Sequence, residues 1–206
     1  MKYTLYIILL FSFGFLNAQK IVEKTVLNDH ISLINIDTEN CYKVTLETGN
    51  TEDVVVSANI EGEYKKDLVL EIKEEAASIF ITTGFSPTFT SPNDKLSAHK
   101  VISISLHIIV PQYKNVKLYG KSSNITASGN YKNLNITLLD GYCMLQNISE
   151  AITASTQSGN IIVKGNNAIV KASTKYGKIY QDKLLKGNTI FNLSSITGDI
   201  HISKTK

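Results

Sequence analysis

Arginine and tryptophan are absent from this 206-residue sequence, and proline (3) and cysteine (2) are scarce. Without arginine the chain lacks the guanidinium fork that reads guanine or clamps phosphate, so nucleic-acid recognition is excluded as its business. Two cysteines, Cys41 and Cys143, are too few for a disulfide scaffold. An oxidising compartment permits one bridge between them, but Cys143 falls in a column of aliphatic residues, which favours a pair of buried thiols. The four histidines, His30, His99, His107 and His201, show no HExxH or HxH spacing, and with two scattered cysteines they give no zinc signature. No cofactor motif is present: there is no G-x-S-x-G elbow, and the YGKSS run at Tyr119 to Ser123 lacks the first glycine of a phosphate loop.

What is present begins with Lys2 and an apolar run from Tyr3 to Phe15, then Leu16-Asn17-Ala18 before Gln19. This reads as a signal peptide over residues 1–18, cleaved after Ala18. About 20 apolar residues are needed to cross a bilayer, and later runs are all broken sooner, so the mature chain is expected to be exported with no transmembrane span. Its destination is then outside the cytoplasm.

Every cation is a lysine, and their distribution is uneven. From Gln19 to Val110 eight lysines face fourteen carboxylates; from Pro111 to Lys206 twelve lysines face four. Such asymmetry draws the halves together or draws the second half to an anionic polymer, unless the lysines merely keep strand edges apart.

The second half carries a repeat. Turn residues Ser123, Gly141, Gly159, Gly177 and Gly198 are spaced by 18, 18, 18 and 21. Seven positions before them stand Val116, Leu134, Ile152, Val170 and Phe191, and two positions after them Ile125, Cys143, Ile161, Ile179 and Ile200. The columns at −5 and +4 are apolar too, with Gln181 the one exception. Alternation of period two on both sides of a turn means short strands with one buried face, and a fixed interval means that each unit stacks on the next. The fold expected is therefore all-β: a parallel β-helix, or solenoid, of about 18-residue coils over residues 111–206. Leu134, Ile152 and Val170 would then be successive neighbours. An antiparallel β meander or sandwich is the alternative, since the same turns fit hairpins. Residues 19–110 read as an irregular N-terminal β region, a cap or early coils, with strands near Ile31 to Ile36, Val44 to Leu46, Val54 to Ile60, Leu68 to Ile72, Ile79 to Ile81 and Val101 to Val110. The stretch Gly84 to His99 is a long aperiodic loop.

The segment ISLHIIVPQYKNVKLYGKSSNI, Ile104 to Ile125, joins an apolar strand, a Val-Pro and the first repeat. It resembles the adhesin-like β-strand repeat proteins of bacterial envelopes, and in particular the auto-transporter adhesin, head-GIN domain family. The likeness runs from about Ile31 to Ser203, although the literal Gly-Ile-Asn is replaced by Gly159-Asn160-Ile161 and Gly198-Asp199-Ile200. It implies a right-handed parallel β-helix exported to the periplasm, the outer-membrane surface or the medium, with no catalytic residue to carry over.

Carboxylates in the repeat half, Asp140, Glu150, Asp182 and Asp199, fall in no common column, which argues against a glycan-cleaving pair. The function expected is a non-enzymatic, adhesin-like or structural interaction module; the alternative is a glycan-binding β-helix. Its candidate binding surface is Tyr119, Tyr142, Tyr176 and Tyr180 with Lys164 and Lys178, which alternate out of the core. Exposed tyrosines stack on sugar rings or anchor proteins. The partner is then a surface glycan or an envelope protein.

Overall fold

In the computed structural model the described residues are 20–27, 30–90 and 102–205; the signal-peptide reading and the latter part of the Gly84 to His99 loop lie outside them. Fifteen strands and no helix occur among the described residues. The N-terminal region contributes β1 (Lys20–Leu27), β2 (Leu33–Asp37), β3 (Cys41–Gly49), β4 (Asp53–Gly62), β5 (Leu68–Glu75), β6 (Ser78–Phe85) and β7 (Ile102–Pro111). The repeat half contributes β8 (Asn115–Ser122), β9 (Asn124–Asp140), β10 (Cys143–Thr156), β11 (Ile161–Lys164), β12 (Asn167–Thr174), β13 (Ile179–Gln181), β14 (Leu185–Ser195) and β15 (Ile200–Ser203).

These strands form two long ladders, joined because β9 and β10 are bent and belong to both. One ladder runs β5-β6-β2-β8-β9-β10-β14-β12, and the other β1-β4-β7-β3-β9-β10-β11-β15-β13. The bends in β10 are marked by Asn147 and Glu150 at positive φ (51° and 73°) and that in β9 by Gly129 at 113°. A Cβ on Gly129 would lie 2.1 Å from the Thr48 hydroxyl, so the corner has no room for a side chain. Inward residues of both ladders make a single aliphatic core, with Ile34, Leu46, Ile60, Ile125, Ile136, Leu145, Ile152 and Ile161 among its fully enclosed members. Burial alternates along the strands, with Val54, Val56, Ala58 and Ile60 inward in β4, Ile161 and Val163 in β11, and Ile200 and Ile202 in β15, because successive side chains point to opposite faces.

The expected regular right-handed β-helix is thus corrected to a mixed, unclosed, sandwich-like pair of faces, and the sandwich alternative describes the fold better than the solenoid. The 18-residue register itself is present as parallel pairing: Val116 lies beside Leu134, Leu134 beside Ile152, Ile125 beside Cys143 and Cys143 beside Ile161. Among the described residues antiparallel pairing is confined to the N-terminal end, in β1-β4-β7 and β5-β6, so the hairpin meander is not the route by which the repeat half builds its faces.

The order of the last two coils departs from the chain order. Ile152 lies beside Phe191, and Val170 pairs with Phe191 from the far side, so Val170 is not the neighbour of Ile152. Likewise Ile161 pairs with Ile200, which pairs with Ile179. The side chains explain the exchange. Phe191, Leu193, Ile200 and Ile202 are at most 3% exposed, whereas Val170 and Ala172 are half-buried and Ile179 is 42% exposed. Placing the bulkier apolar set inside and the poorer set, which includes Gln181, at the edge buries more apolar surface. The chain makes the crossings at 165–166 and 182–185, where Gly165 donates to Ser203 and Leu185 to Asn166.

Candidate functional site: the outer faces and the open end

The turns that join the two ladders stack as tightly as the strands. A Cβ on Gly141 would meet the Ser123 carbonyl at 2.3 Å, one on Gly159 the Gly141 carbonyl at 1.7 Å, and one on Gly198 the Gly159 carbonyl at 2.1 Å. One residue on, side-chain carbonyls reach from rung to rung. Asn124 accepts from the Tyr142 amide (3.2 Å), Asn160 from Asp199 (2.8 Å), and Asp199 from Lys178 (2.7 Å). The sequence carried this signal, since Asn124, Asn160 and Asp199 share one repeat position, but the pairing partners depend on the exchanged coil order.

Contacts of this kind account for three of the four carboxylates of the repeat half, the fourth, Glu150, being exposed at the bend of β10. Asp140 accepts from the Ser158 hydroxyl (3.1 Å), Asp199 from the Lys178 amide, and Asp182 from the Lys204 amide (3.3 Å). All three hold backbone or turns together rather than converging on a substrate. Among the described residues, no three His, Cys, Asp or Glu side chains gather where a metal ion would sit. His107 reaches Glu47 at 3.3 Å on the surface, and His201 stacks on Tyr180 with ring centroids 4.7 Å apart.

Both thiols are free and buried. Cys143 sits between Ile125 and Ile161 in its column, and Cys41 contacts the Thr83 hydroxyl at 3.3 Å. Burial pushes Cys143 up to about 12 and Cys41 up to about 11, which keeps both protonated and poorly nucleophilic.

The predicted surface residues divide between places. Tyr119 lies on the outer face of the first ladder; Tyr142 is in the turn column, and Lys164 ends β11 beside Ser203. Tyr176, Lys178 and Tyr180 come together on the terminal coil, where Tyr176 is 69% exposed. Around Tyr119 a shallow groove of about 340 Å³ is lined by Asn35, Asp37, Phe80, Lys117 and Asn135. In register these form a grid, with Phe80, Asn35, Lys117 and Asn135 in one row and Thr82, Asp37, Tyr119 and Thr137 in the next. Sequence reasoning missed Phe80, whose outward parity within Ser78–Phe85 was its only mark.

The two ends of the stack differ. At the N-terminal end, the Lys20 and Lys24 ammoniums of β1 reach across to the carbonyls of Leu68 (2.9 Å) and Leu70 (2.7 Å) on β5 and so tie the two ladders together. At the other end β12 pairs with β14 alone and β13 with β15 alone among the described residues.

No family model matches the sequence, and no curated protein does. Solved structures do. A putative cell adhesion protein from Clostridium sporogenes superposes with a TM-score of 0.65 at 14% identity, over 91% of this chain and 100% of that one. A putative adhesin from Bacteroides fragilis aligns over 90% of this chain and 97% of that one at 12% identity, with a TM-score of only 0.38. The first of these establishes a shared fold. No described helix is long and apolar enough to cross a membrane.

Proposed function

We propose that the protein is a non-enzymatic, exported module of the bacterial cell envelope that works by adhesive or structural contact, within the auto-transporter adhesin, head-GIN domain family. The observation that carries this reading is how the polar side chains are used. The carboxylates Asp140, Asp182 and Asp199 bind neighbouring turns and backbone, while the outward positions form flat arrays of Asn, Thr, Ser, Lys and Tyr over the aliphatic core. Arrays of that kind present contact area and hydrogen-bonding groups to a partner surface. The shared fold with a protein described as a putative cell adhesion protein supports the same reading.

A glycan ligand is the second reading, favoured by the groove at Phe80 and Tyr119. Two aromatic faces, 37% and 41% exposed, flank the planar polar groups of Asn35 and Asp37, and Asn135 lies one strand beyond Tyr119. Aromatic faces stack on sugar rings while amides and carboxylates take up hydroxyls. The test is a glycan array run beside a pull-down from envelope extract with residues 19–206. Saturable sugar binding lost in Tyr119→Ala or Phe80→Ala selects the glycan reading. Capture of envelope protein without sugar binding, weakened by Tyr142→Ala or Tyr180→Ala, selects protein contact. Turnover of any glycan by the wild-type chain would overturn the non-enzymatic reading.

A further inference from the structure

We propose that the open end of the stack is a docking edge for an acidic, extended polypeptide segment, which adds as a further strand alongside β12. Three observations converge there. First, β12 offers eight residues of backbone with pairing on one side only among the described residues. Second, the core columns of this ladder are left uncovered: Val170 and Ala172 are half-buried at the edge of β12, although their column mates Ile152, Ala154, Phe191 and Leu193 are at most 2% exposed. Third, the coil from 167 to 186 carries Lys171, Lys175, Lys178, Lys183 and Lys186, all exposed, against the single carboxylate Asp182.

Lysines on an edge strand ordinarily serve to keep other strands away. That role alone does not explain an apolar column left open beside them. A strand with acidic outward residues and apolar inward ones satisfies all three features at once: backbone pairing, cover for Val170 and Ala172, and charge. A polysaccharide offers no backbone ladder and makes no use of the apolar column. A second copy is disfavoured too. Its matching end repeats the same lysines, and its opposite end is tied across by Lys20 and Lys24 at the Leu68 and Leu70 carbonyls.

The proposal deepens the contact-module reading for one end of the molecule and is tested separately from it. The probe is an acetylated nonapeptide of alternating Glu and Val, compared with Glu-Ser and Lys-Val versions and with heparin, while amide hydrogen exchange is followed. The Glu-Val peptide is expected to bind, to weaken steeply with salt, and to slow exchange in residues 167–174. The triple variant Lys171→Glu, Lys175→Glu, Lys178→Glu should bind at least about tenfold more weakly, with its circular dichroism and thermal midpoint unchanged. The Lys-Val and Glu-Ser peptides should not bind comparably. The proposal is overturned by failure of the Glu-Val peptide to bind, by equal binding of Glu-Ser, by binding without amide protection, by heparin producing the same protection, or by a doubling of mass in light scattering. Any of these alongside intact pull-down capture leaves the contact-module reading in place.

Discussion

Replacing Gly159 by alanine probes the turn stack where it is tightest. The added Cβ would lie 1.7 Å from the Gly141 carbonyl oxygen, whereas carbon and oxygen in contact sit about 3.3 Å apart, so the two turns must separate by about 1.6 Å. The oxygen is backbone of a turn anchored between ladder strands, and no flexible side chain can yield instead. Overpacking of this kind costs about 1–3 kcal/mol. Parting the turns also strains the bond by which the Asn160 carbonyl accepts from the Cys143 amide (2.9 Å), worth about 1 kcal/mol. The sum is a loss of about 2–4 kcal/mol, or a fall in melting temperature on the order of 10 °C for a chain of this size. Gly165 is the internal control, because a Cβ there meets nothing within 4 Å, and Gly165→Ala should change stability by less than about 1 kcal/mol. Both variants are compared by urea denaturation and by calorimetry. If Gly159→Ala melts with Gly165→Ala, the turns are not stacked in contact and the reasoning fails.

Two further outcomes follow from the same packing. Tyr131 is fully buried at the bend of β9, and its hydroxyl is placed to donate to the carbonyls of Leu46 (3.1 Å) and Ser128 (2.9 Å). Tyr131→Phe leaves those acceptors short of a donor and should lower unfolding free energy by about 1–2 kcal/mol, measured by urea denaturation. The buried thiols give a pH signature. Their folded pKa values, raised by burial to about 11 and about 12, exceed the ordinary thiol value, so the stability tied to keeping them protonated is complete below about pH 8.5 and declines as pH rises toward 11. A thiol reagent at pH 8 should label neither cysteine in the native chain and both in denaturant; rapid labelling of native Cys143 would contradict its burial.

Legibility in the sequence followed the physics of each feature. Strand positions and inward columns could be read because period-two alternation and an 18-residue interval are local properties: Leu134, Ile152, Ile125 and Cys143 all fall where the pattern puts them. The order of coils could not be read that way. A parallel ladder matches equivalent residues whichever coil lies next, so Val170 and Phe191 were equally eligible neighbours for Ile152, and apolar bulk decided between them. Gln181, the polar intruder in its column, was the trace of that decision, since it marks the coil left at the edge. The N-terminal ladders have no interval, and their antiparallel pairing depends on contacts such as Val56 with Ile108 that lie far apart in the chain. The surface tyrosines were found by parity, but parity does not say which of them meet. Tyr176 and Tyr180 share an end, while Tyr119 belongs to a groove with Phe80 on another face.

The exchanged coil order is most directly tested by disulfide trapping on the outer face. Thr153 lies beside Asn192, and Asn192 beside Lys171, so Thr153 and Lys171 are two strand spacings apart, about 9.6 Å, beyond the roughly 7 Å that a disulfide spans. The double variant Thr153→Cys, Asn192→Cys should oxidise readily to an intramolecular bridge, while Thr153→Cys, Lys171→Cys should stay reduced. The opposite result, in which the variant substituted at Thr153 and Lys171 forms the bridge and the one substituted at Thr153 and Asn192 does not, would contradict the account.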